Sequence, residues 1–525
     1  MSGFKKTKKL AVVPNRPALA MGIDWATQHA LVLGLGESGL AACRWLLRRG
    51  ARVTVVDTRE TPPAMHQVRG LGGDDRLTIH TAATAPLAAS WVDGVTMVIP
   101  SPGLSPHREQ QSPIADVLDA ARQRGIAVLG EIDLFEWAIH HAAHASSTAN
   151  TGLDLELPLE LPKVLAITGT NGKTTTTQMT VALLRRAGVD AQEAGNISPS
   201  LLDAVMARED ASRFPQVWVL ELSSFQLAYA AHFHPTAGAI LNISEDHLDW
   251  HVDMADYMHA KHRVFGIGID SESSDVLCVV NRQDGMAMAG LTGQRSVVTF
   301  GTNRPDIPGD FGLHDEGLTW MVLRDSLDDE RLHRLMPADA LRVRGRHNAA
   351  NALAALALCR AVTPTLAPLL HALREFRGGA HRMEWVAHID GVDFVDDSKG
   401  TNVGATVAAL YGLSLPLVLI AGGMGKGQNF APLADPIRRH AKAVVAIGQD
   451  GEIIADIARQ AGVQVAAASS MDEAVCQAFE LAKPSGVVLM SPACASFDMF
   501  ANYIARAQAF RQSVTALGQS QGVAC

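Results

Sequence analysis

Gly169-Thr170-Asn171-Gly172-Lys173-Thr174-Thr175 is a run whose residue types can hold a phosphate. Glycines let backbone N–H groups approach phosphate oxygens, a following lysine reaches the terminal phosphates, and a threonine hydroxyl can ligate Mg2+. The usual spacing has another glycine five positions before Gly172. This chain has Ile167 there, so the loop is a shortened variant. The apolar run Val164–Ile167 before it and a helical stretch through Leu184 to Ala187 after it give the strand–loop–helix setting that such loops need. ATP is the expected ligand.

A second glycine turn, Gly34-Leu35-Gly36-Glu37-Ser38-Gly39, follows the strand-like run Ala30–Leu33 and opens an amphipathic stretch that stops at Gly50. Asp57 closes the next strand, Arg52–Val56, near the spacing of a ribose contact in a dinucleotide fold. The polar Asp57-Thr58-Arg59 suits uridine or another nucleotide equally well, and glycines needed only for helix–strand packing are the plain alternative. Two further strand ends carry carboxylates: Glu221-Leu222-Ser223-Ser224-Phe225-Gln226, and Asn242 to Asp249 with Glu245-Asp246-His247. Ligands in open α/β sheets gather at the carboxyl ends of strands, so Glu221 and His247 are candidate Mg2+ ligands. Helix caps at Ser223 and Asp246 are the plainer reading.

Lys261 falls in an expected helix, Tyr257–Phe265, where its pattern is that of an ordinary exposed lysine. Asn348 and Asn351 share one face of another, three residues apart, and can bind a base or phosphate or simply cap. The last third adds His381-Arg382, Asp396-Asp397-Ser398-Lys399-Gly400-Thr401-Asn402, Gly422-Gly423-Met424-Gly425-Lys426 and Ser491 to Asp498. Lys173, Arg382, Lys399 and Lys426 therefore concentrate positive charge at turns of a chain whose formal net charge is −9. That acidic balance argues against a nucleic-acid partner.

These turns have to be held by strands and helices. Strand-like runs also occur at Val95–Ile99, Ile126–Leu129, Val217–Glu221, Ala239–Asn242, Val276–Asn281, Val392–Asp396, Leu417–Ala421, Ala443–Ile447 and Val487–Ser491, alternating with helical stretches. The alternation predicts an α/β protein with parallel sheets throughout. At 525 residues, three units are expected: 1–130, 131–378 and 379–525. Residues 1–20 read as a flexible leader, since the lysines at 5, 6, 8 and 9 precede an apolar run too short for a signal peptide. Residues 140–162 read as a linker or solvated insertion. His140, His141 and His144 there lack the cysteines or carboxylates of a metal site. Six scattered cysteines fit reduced thiols in a cytoplasmic protein, and no apolar run is long enough to span a membrane.

Taken together, Gly169 to Thr174, Glu221 to Gln226, Glu245 to His247, and His347-Asn348 with Asn351 resemble the ATP-dependent Mur ligase family of peptidoglycan synthesis. Asp397-Ser398-Lys399, Thr401-Asn402 and Ser491 to Ser496 look like the branch that adds D-glutamate to UDP-N-acetylmuramoyl-L-alanine. The resemblance runs from about Leu31 to Phe510. It implies a Rossmann-like N-terminal domain, a central phosphate-loop domain and a Rossmann-like C-terminal domain, acting as a monomer on small-molecule substrates with ATP and Mg2+. It implies that Ser38, Asp57, Thr58, Arg59 and Gly103 hold the uridine diphosphate end, and that Asn196, Ser223, Gln226 and His247 face the rest of that substrate. Gly169 to Thr175, Asn348, Asn351, His381, Arg382, Asp397 and Lys399 would surround ATP. Thr401, Lys426, Ser496 and Phe497 would frame D-glutamate. Thr174, Glu221, His247 and a carbamylated Lys261 would face Mg2+, and Lys173, His247, Lys261 and Lys399 would be the catalytic set. Departures from the family pattern are Gly400 in place of alanine, Ala507 in place of glycine, and long segments at 140–162 and 303–338. Another amino-acid ligase of the family, a nicotinamide-dependent oxidoreductase and a non-catalytic nucleotide-binding scaffold are the competing readings. The oxidoreductase leaves Lys173 and the Asp397–Lys399 turn without a role.

Overall fold

The computed structural model describes residues 23–71, 75–149, 161–267, 276–289, 291, 296–324, 332–343, 345–379, 381–413, 417–425 and 427–521. The expected leader and Lys426 lie outside the described residues. The chain forms two compact units. One comprises Met1–Ala166, Asp190–Thr236 and Trp250–Val276; the other comprises Ile167–Val189, Ala237–Asp249 and Leu277–Cys525.

The first unit contains a five-stranded parallel sheet. Its strands are β1 (His29–Leu33), β2 (Arg52–Val56), β3 (Leu77–His80), β4 (Met97–Pro100) and β5 (Ala127–Val128), in the order β3-β2-β1-β4-β5. Leu31, Leu33, Val56 and Val98 pack with Val117 and Leu118 of the helix Ala115–Gln123, while the helix Glu37–Arg48 buries Leu40, Cys43 and Leu46. Helices covering a parallel sheet explain why β1 and β4 read as continuous apolar runs and not as alternating ones. The edge strand β3 is half exposed, and its short Leu-Thr-Ile-His pattern escaped the sequence reading. The same unit holds most of β6 (Lys163–Thr168), beside which lies β8 (Val217–Glu221), with β7 (Ala191–Gly195) beyond it. β7 has no β-branched residue; its pairing with β8 makes it a strand.

The turn after β1 has no room for a side chain at Gly39. A Cβ there would overlap the Gly34 carbonyl oxygen, which is backbone and cannot turn aside. Gly39→Ala is expected to lower unfolding free energy by about 1–3 kcal/mol, the usual range for overpacking, read from urea unfolding. A variant of wild-type stability would show that the turn has room for a methyl group.

The second unit holds β9 (Ala237–Ile240), β10 (Leu277–Asn281) and β11 (Val297–Phe300), parallel and in that order. The long segment at 303–338 contains a three-stranded antiparallel sheet, β12 (Phe311–Glu316), β13 (Leu318–Arg324) and β14 (Leu332–Pro337). A six-stranded sheet follows, in the order β15-β16-β20-β17-β18-β19, from β15 (Glu384–Ile389), β16 (Val392–Asp396), β17 (Leu417–Gly422), β18 (Ala441–Ile447), β19 (Gln464–Ala467) and β20 (Gly486–Met490). Val418, Ile420 and Val488 face one core with the helices Met471–Ala482 and Tyr503–Ser520. Leu419, Ala421 and Leu489 face another with the helices Val403–Gly412 and Gly451–Gln460. The unit is thus wound on both faces.

The expectation of parallel sheets throughout fails at β12–β14 and at β15–β16, which are antiparallel. The cause at β15–β16 is a two-residue turn, Asp390-Gly391, both with positive φ (45° and 81°). That dipeptide favours the tight hairpin turn matching strand twist. The helix Glu131–Ala149 also runs into the segment expected as a linker, while 150–160 lie outside the described residues. Cys43, Cys278, Cys359, Cys476 and Cys494 are free thiols. Among the described residues, no helix is long and apolar enough to cross a membrane.

Candidate active site

In the second unit, Gly172 is the N-cap of the helix Lys173–Arg186 and makes no side-chain capping hydrogen bond. Such an end carries a partial positive charge. The loop before it is tied to the turn after β9: Thr170 N–H donates to Asn242 O (2.8 Å), Asn171 N–H to Asn242 Oδ1 (2.8 Å), and Thr170 Oγ1 to Ser244 O (3.1 Å). Lys173 Nζ folds back over the loop, donating to Gly169 O (2.9 Å) and Thr170 O (3.0 Å). Thr174 and Thr175 are buried.

The helix Arg346–Cys359 brings Asn348 and Asn351 to this loop. Asn351 Nδ2 donates to Asn348 Oδ1 (3.3 Å), and a Cβ on Gly172 would meet Asn351 Oδ1 at 2.5 Å. Two cations from the C-terminal sheet reach the Thr174 hydroxyl: Arg382 Nη2 at 2.8 Å and Lys399 Nζ at 3.3 Å. Asn402 Nδ2 donates to Asn171 Oδ1 (3.3 Å) and to Asp246 Oδ2 (3.2 Å), while its own Oδ1 caps the helix Val403–Gly412. Asp246 also accepts from the backbone of His247, whose φ is +57° and whose ring is partly exposed. The structure therefore gathers Gly169 to Thr175, Asn348, Asn351, Arg382, Lys399 and the Asp246-His247 turn around one helix N-terminus.

Behind the cations lies a buried network. His381 Nδ1 is 2.8 Å from Asp396 Oδ2, and Ser398 Oγ donates to Asp396 Oδ1 at 2.6 Å. Asp397 accepts from Ser491 Oγ (2.7 Å) and Met383 N–H (3.3 Å), and burial pushes its carboxyl up to about 7 against those bonds and Arg382. Arg506, 1% exposed, donates to Ser398 O (2.7 Å) and Cys494 O (3.0 Å), so it ties the turn after β16 to the turn after β20. Sequence reasoning did not foresee Ser491's bond to Asp397 and gave Arg506 no role. Thr401 and the buried Ser496 sit on those same two turns, and Phe497 is exposed.

In the first unit, Leu35 N–H of the glycine turn donates to Asp57 Oδ2 (2.7 Å), and Arg59 brackets the same carboxylate through Nε (2.9 Å) and Nη2 (2.6 Å). Burial raises the Asp57 carboxyl, but the Arg59 and Leu35 bonds outweigh it and hold it below the usual range. Thr58 is half-buried between them, and Gly103 lies on the loop after β4. Ser38 lies beside Glu131, a buried carboxyl that accepts from Leu202 N–H (3.1 Å).

Burial pushes Glu131 up to about 7 although Ser38, Leu202 and Ser200 pull it down. The folded chain then holds this proton longer than the unfolded chain, whose glutamate titrates near about 4.3. Its contribution to stability therefore falls as pH rises from that value to about 7. Glu131→Gln cannot ionise, so its urea stability is expected to decline less between pH 5 and 8, by a difference on the order of 1 kcal/mol. Identical slopes in the two proteins would contradict this.

Glu221 ends β8 and is buried. Its Oε1 accepts from Asn196 Nδ2 (3.0 Å), while Oε2 is buried with no hydrogen-bond partner among the described residues. An orphaned, buried carboxylate oxygen fits a hard divalent cation. Thr174 fits less directly, because its hydroxyl faces two cations here. Ser223 and Gln226 bond each other in a capping box on the helix Ser224–Tyr229. Lys261 is 2% exposed, not an ordinary surface lysine, with Nζ 4.5 Å from the Tyr257 ring centroid. A site reading from sequence could not see that burial, because the helix Met254–His262 has no clear apolar stripe.

Comparison with known proteins matches three family descriptions: "Mur ligase MurD-like, N-terminal domain" at residues 28–130, "Mur ligase middle domain" at 167–359, and "Mur ligase, glutamate ligase domain" at 381–494. A relative from Ralstonia nicotianae, named UDP-N-acetylmuramoylalanine--D-glutamate ligase, is 48% identical over 95% of this chain and 99% of its own. One of the same name from Cupriavidus pinatubonensis is 48% identical over 94% of this chain and 98% of its own. Among solved structures, UDP-N-acetylmuramate-alanine ligase of Thermotoga maritima (19% identical, TM-score 0.52, 94% of this chain and 99% of that one) shares the fold. So does MurF of Acinetobacter baumannii (18%, TM-score 0.53, 92% and 90%).

Proposed function

The chain belongs to the Mur ligase family, and on that premise we propose that it joins D-glutamate to UDP-N-acetylmuramoyl-L-alanine, converting ATP to ADP and phosphate. The observation that carries this reading is identity of 48% over nearly the whole chain with ligases of that name. The cations gathered at the helix N-terminus beside Gly172 support it.

Amide formation from a carboxylate needs a leaving group. An oxygen of the alanyl carboxylate attacks the γ-phosphorus, the bond to ADP breaks, and an acyl phosphate forms. The neutral amine of D-glutamate then attacks the acyl carbon and loses a proton to solvent, and the tetrahedral intermediate expels phosphate carrying the former carboxylate oxygen. Positioning and charge compensation suffice for this sequence, with no protein nucleophile. Lys173 and Lys399 offset charge on the transferring phosphoryl group. Gly169 to Thr175, Asn348, Asn351, His381, Arg382 and Asp397 surround ATP. Ser38, Asp57, Thr58, Arg59 and Gly103 hold the uridine diphosphate end, with Asn196, Ser223 and Gln226 toward the muramoyl end. Thr401, Lys426, Ser496 and Phe497 frame D-glutamate.

Mg2+ would supply further charge compensation, held by Thr174, Glu221, His247 and Lys261 as its carbamate; Glu221's orphaned oxygen supports this set. We read residues 1–130, 131–378 and 379–525 as the uridine-nucleotide, ATPase and amino-acid parts of a cytoplasmic monomer. Phosphate release tests the function. It is expected only when UDP-N-acetylmuramoyl-L-alanine and D-glutamate are both present, and not with L-glutamate, L-lysine or L-alanine. Preference for another amino acid would assign the chain to a different reaction of the family.

A further inference from the structure

Trp250-His251 follows the Asp246–Asp249 turn and is not part of the assigned site. His251 is fully buried, and both ring nitrogens are engaged: Nδ1 lies 2.7 Å from Asp256 Oδ2 and Nε2 lies 3.0 Å from Ser224 Oγ. A carboxylate only accepts, so Nδ1 carries the hydrogen and Nε2 is left to the serine hydroxyl. His107 Nε2 lies 3.1 Å from the same Asp256 oxygen. These partners satisfy one another, so the cluster reads as a hydrogen-bonded tie and not as a metal centre.

What the tie joins gives it meaning. Ser224 opens the helix immediately after the Glu221 turn. Asp256 stands in the first turn of the helix Met254–His262, whose last turn carries Lys261. His107 follows the loop bearing Gly103. That loop is bound to Trp250 through Trp250 Nε1 to Pro102 O (3.0 Å) and Ser105 Oγ to Trp250 O (2.7 Å), while Gln110 Nε2 donates to His251 O (3.0 Å). The Phe225 ring stacks on Trp250 at 4.8 Å. One buried imidazole thus joins two segments directly, and Asp256 and the Trp250-His251 backbone carry the tie to the third, each segment bearing a residue of the site.

We infer that His251 and Asp256 are positioning residues that hold Glu221 and Lys261 in register with each other and with the Gly103 loop. The inference rests on the reading above, in which Glu221 and carbamylated Lys261 serve the metal. Carbamylation converts the ammonium of Lys261 and CO2 to a carbamate anion with release of two protons. The tie fixes the helix on which that anion must form.

The test uses the full-length enzyme and its Asp256→Asn, Asp256→Glu and Ser224→Ala variants. Two readouts are followed: the carbamate carbonyl signal in 13C NMR with labelled bicarbonate, and kcat against KM. Loss of groups that orient metal-side ligands typically costs about 10- to 100-fold, so Asp256→Asn is expected to lower kcat and raise the bicarbonate needed for half-occupancy by that factor, with KM for the nucleotides nearly unchanged. Asp256→Glu should recover part of both effects. Ser224→Ala, which removes one hydroxyl, shows the same trend if the larger change prevents folding. Folded variants with wild-type carbamate occupancy and kcat would overturn the inference. Full activity in Lys261→Ala, or an absent carbamate signal in the wild type, would instead remove the reading beneath it.

Discussion

Replacing Lys173 by methionine is expected to lower phosphate release by about 10²- to 10³-fold, the effect of removing one preorganised charge from a transition state. The lysine rises from the N-terminus of its own helix and bends over the loop to Gly169 O and Thr170 O. Those carbonyls hold the ammonium where terminal phosphates would approach the helix end. Methionine keeps the stem and removes the charge and both bonds. The side chain is only half-buried, so the folded state should survive with little loss of thermal stability. Arginine should not restore the rate, because a planar fork cannot place a point charge between two carbonyls of one tight loop. A Met variant retaining half the wild-type rate would detach this lysine from catalysis.

Lys261→Ala is expected to reduce turnover on a similar scale, about 10²-fold or more, because the proposed carbamate would no longer hold a divalent cation beside the transferring charge. An ammonium held there would repel a divalent cation, whereas a carbamate on the same stem attracts one. The side chain is enclosed, and its Nζ stands over Tyr257, one helical turn back. Labelled bicarbonate should give one carbamate signal in the wild type, absent from the variant. A fully active variant, or a plain amine in the active wild type, would contradict this assignment.

The chemistry-bearing turns were legible because each is a local pattern: glycines before Lys173, a carboxylate at the end of β8, and serine, lysine and glycine after β16. The strand alternation that carries them is local too. Less was legible where the cause is distant in sequence. Ser491 bonds Asp397 across two neighbouring strand ends, and Arg506 reaches back from the last helix to Ser398. No spacing rule connects such positions. Burial of Lys261 was invisible for the same reason, since its enclosure comes from tertiary packing. The hairpin at Asp390-Gly391 is a different case. That dipeptide is a strong local turn signal between two apolar stretches, and the general expectation of parallel sheets overrode it. β7 formed against its own composition because β8 offered a partner along its whole length.

In this mechanism ATP activates the alanyl carboxylate so that D-glutamate can be joined to it. The most direct measurement labels that carboxylate with 18O and follows the label by mass spectrometry during one round of synthesis with D-glutamate. One 18O atom is expected in each phosphate released, in step with the new amide. Unlabelled phosphate accompanied by product would contradict it.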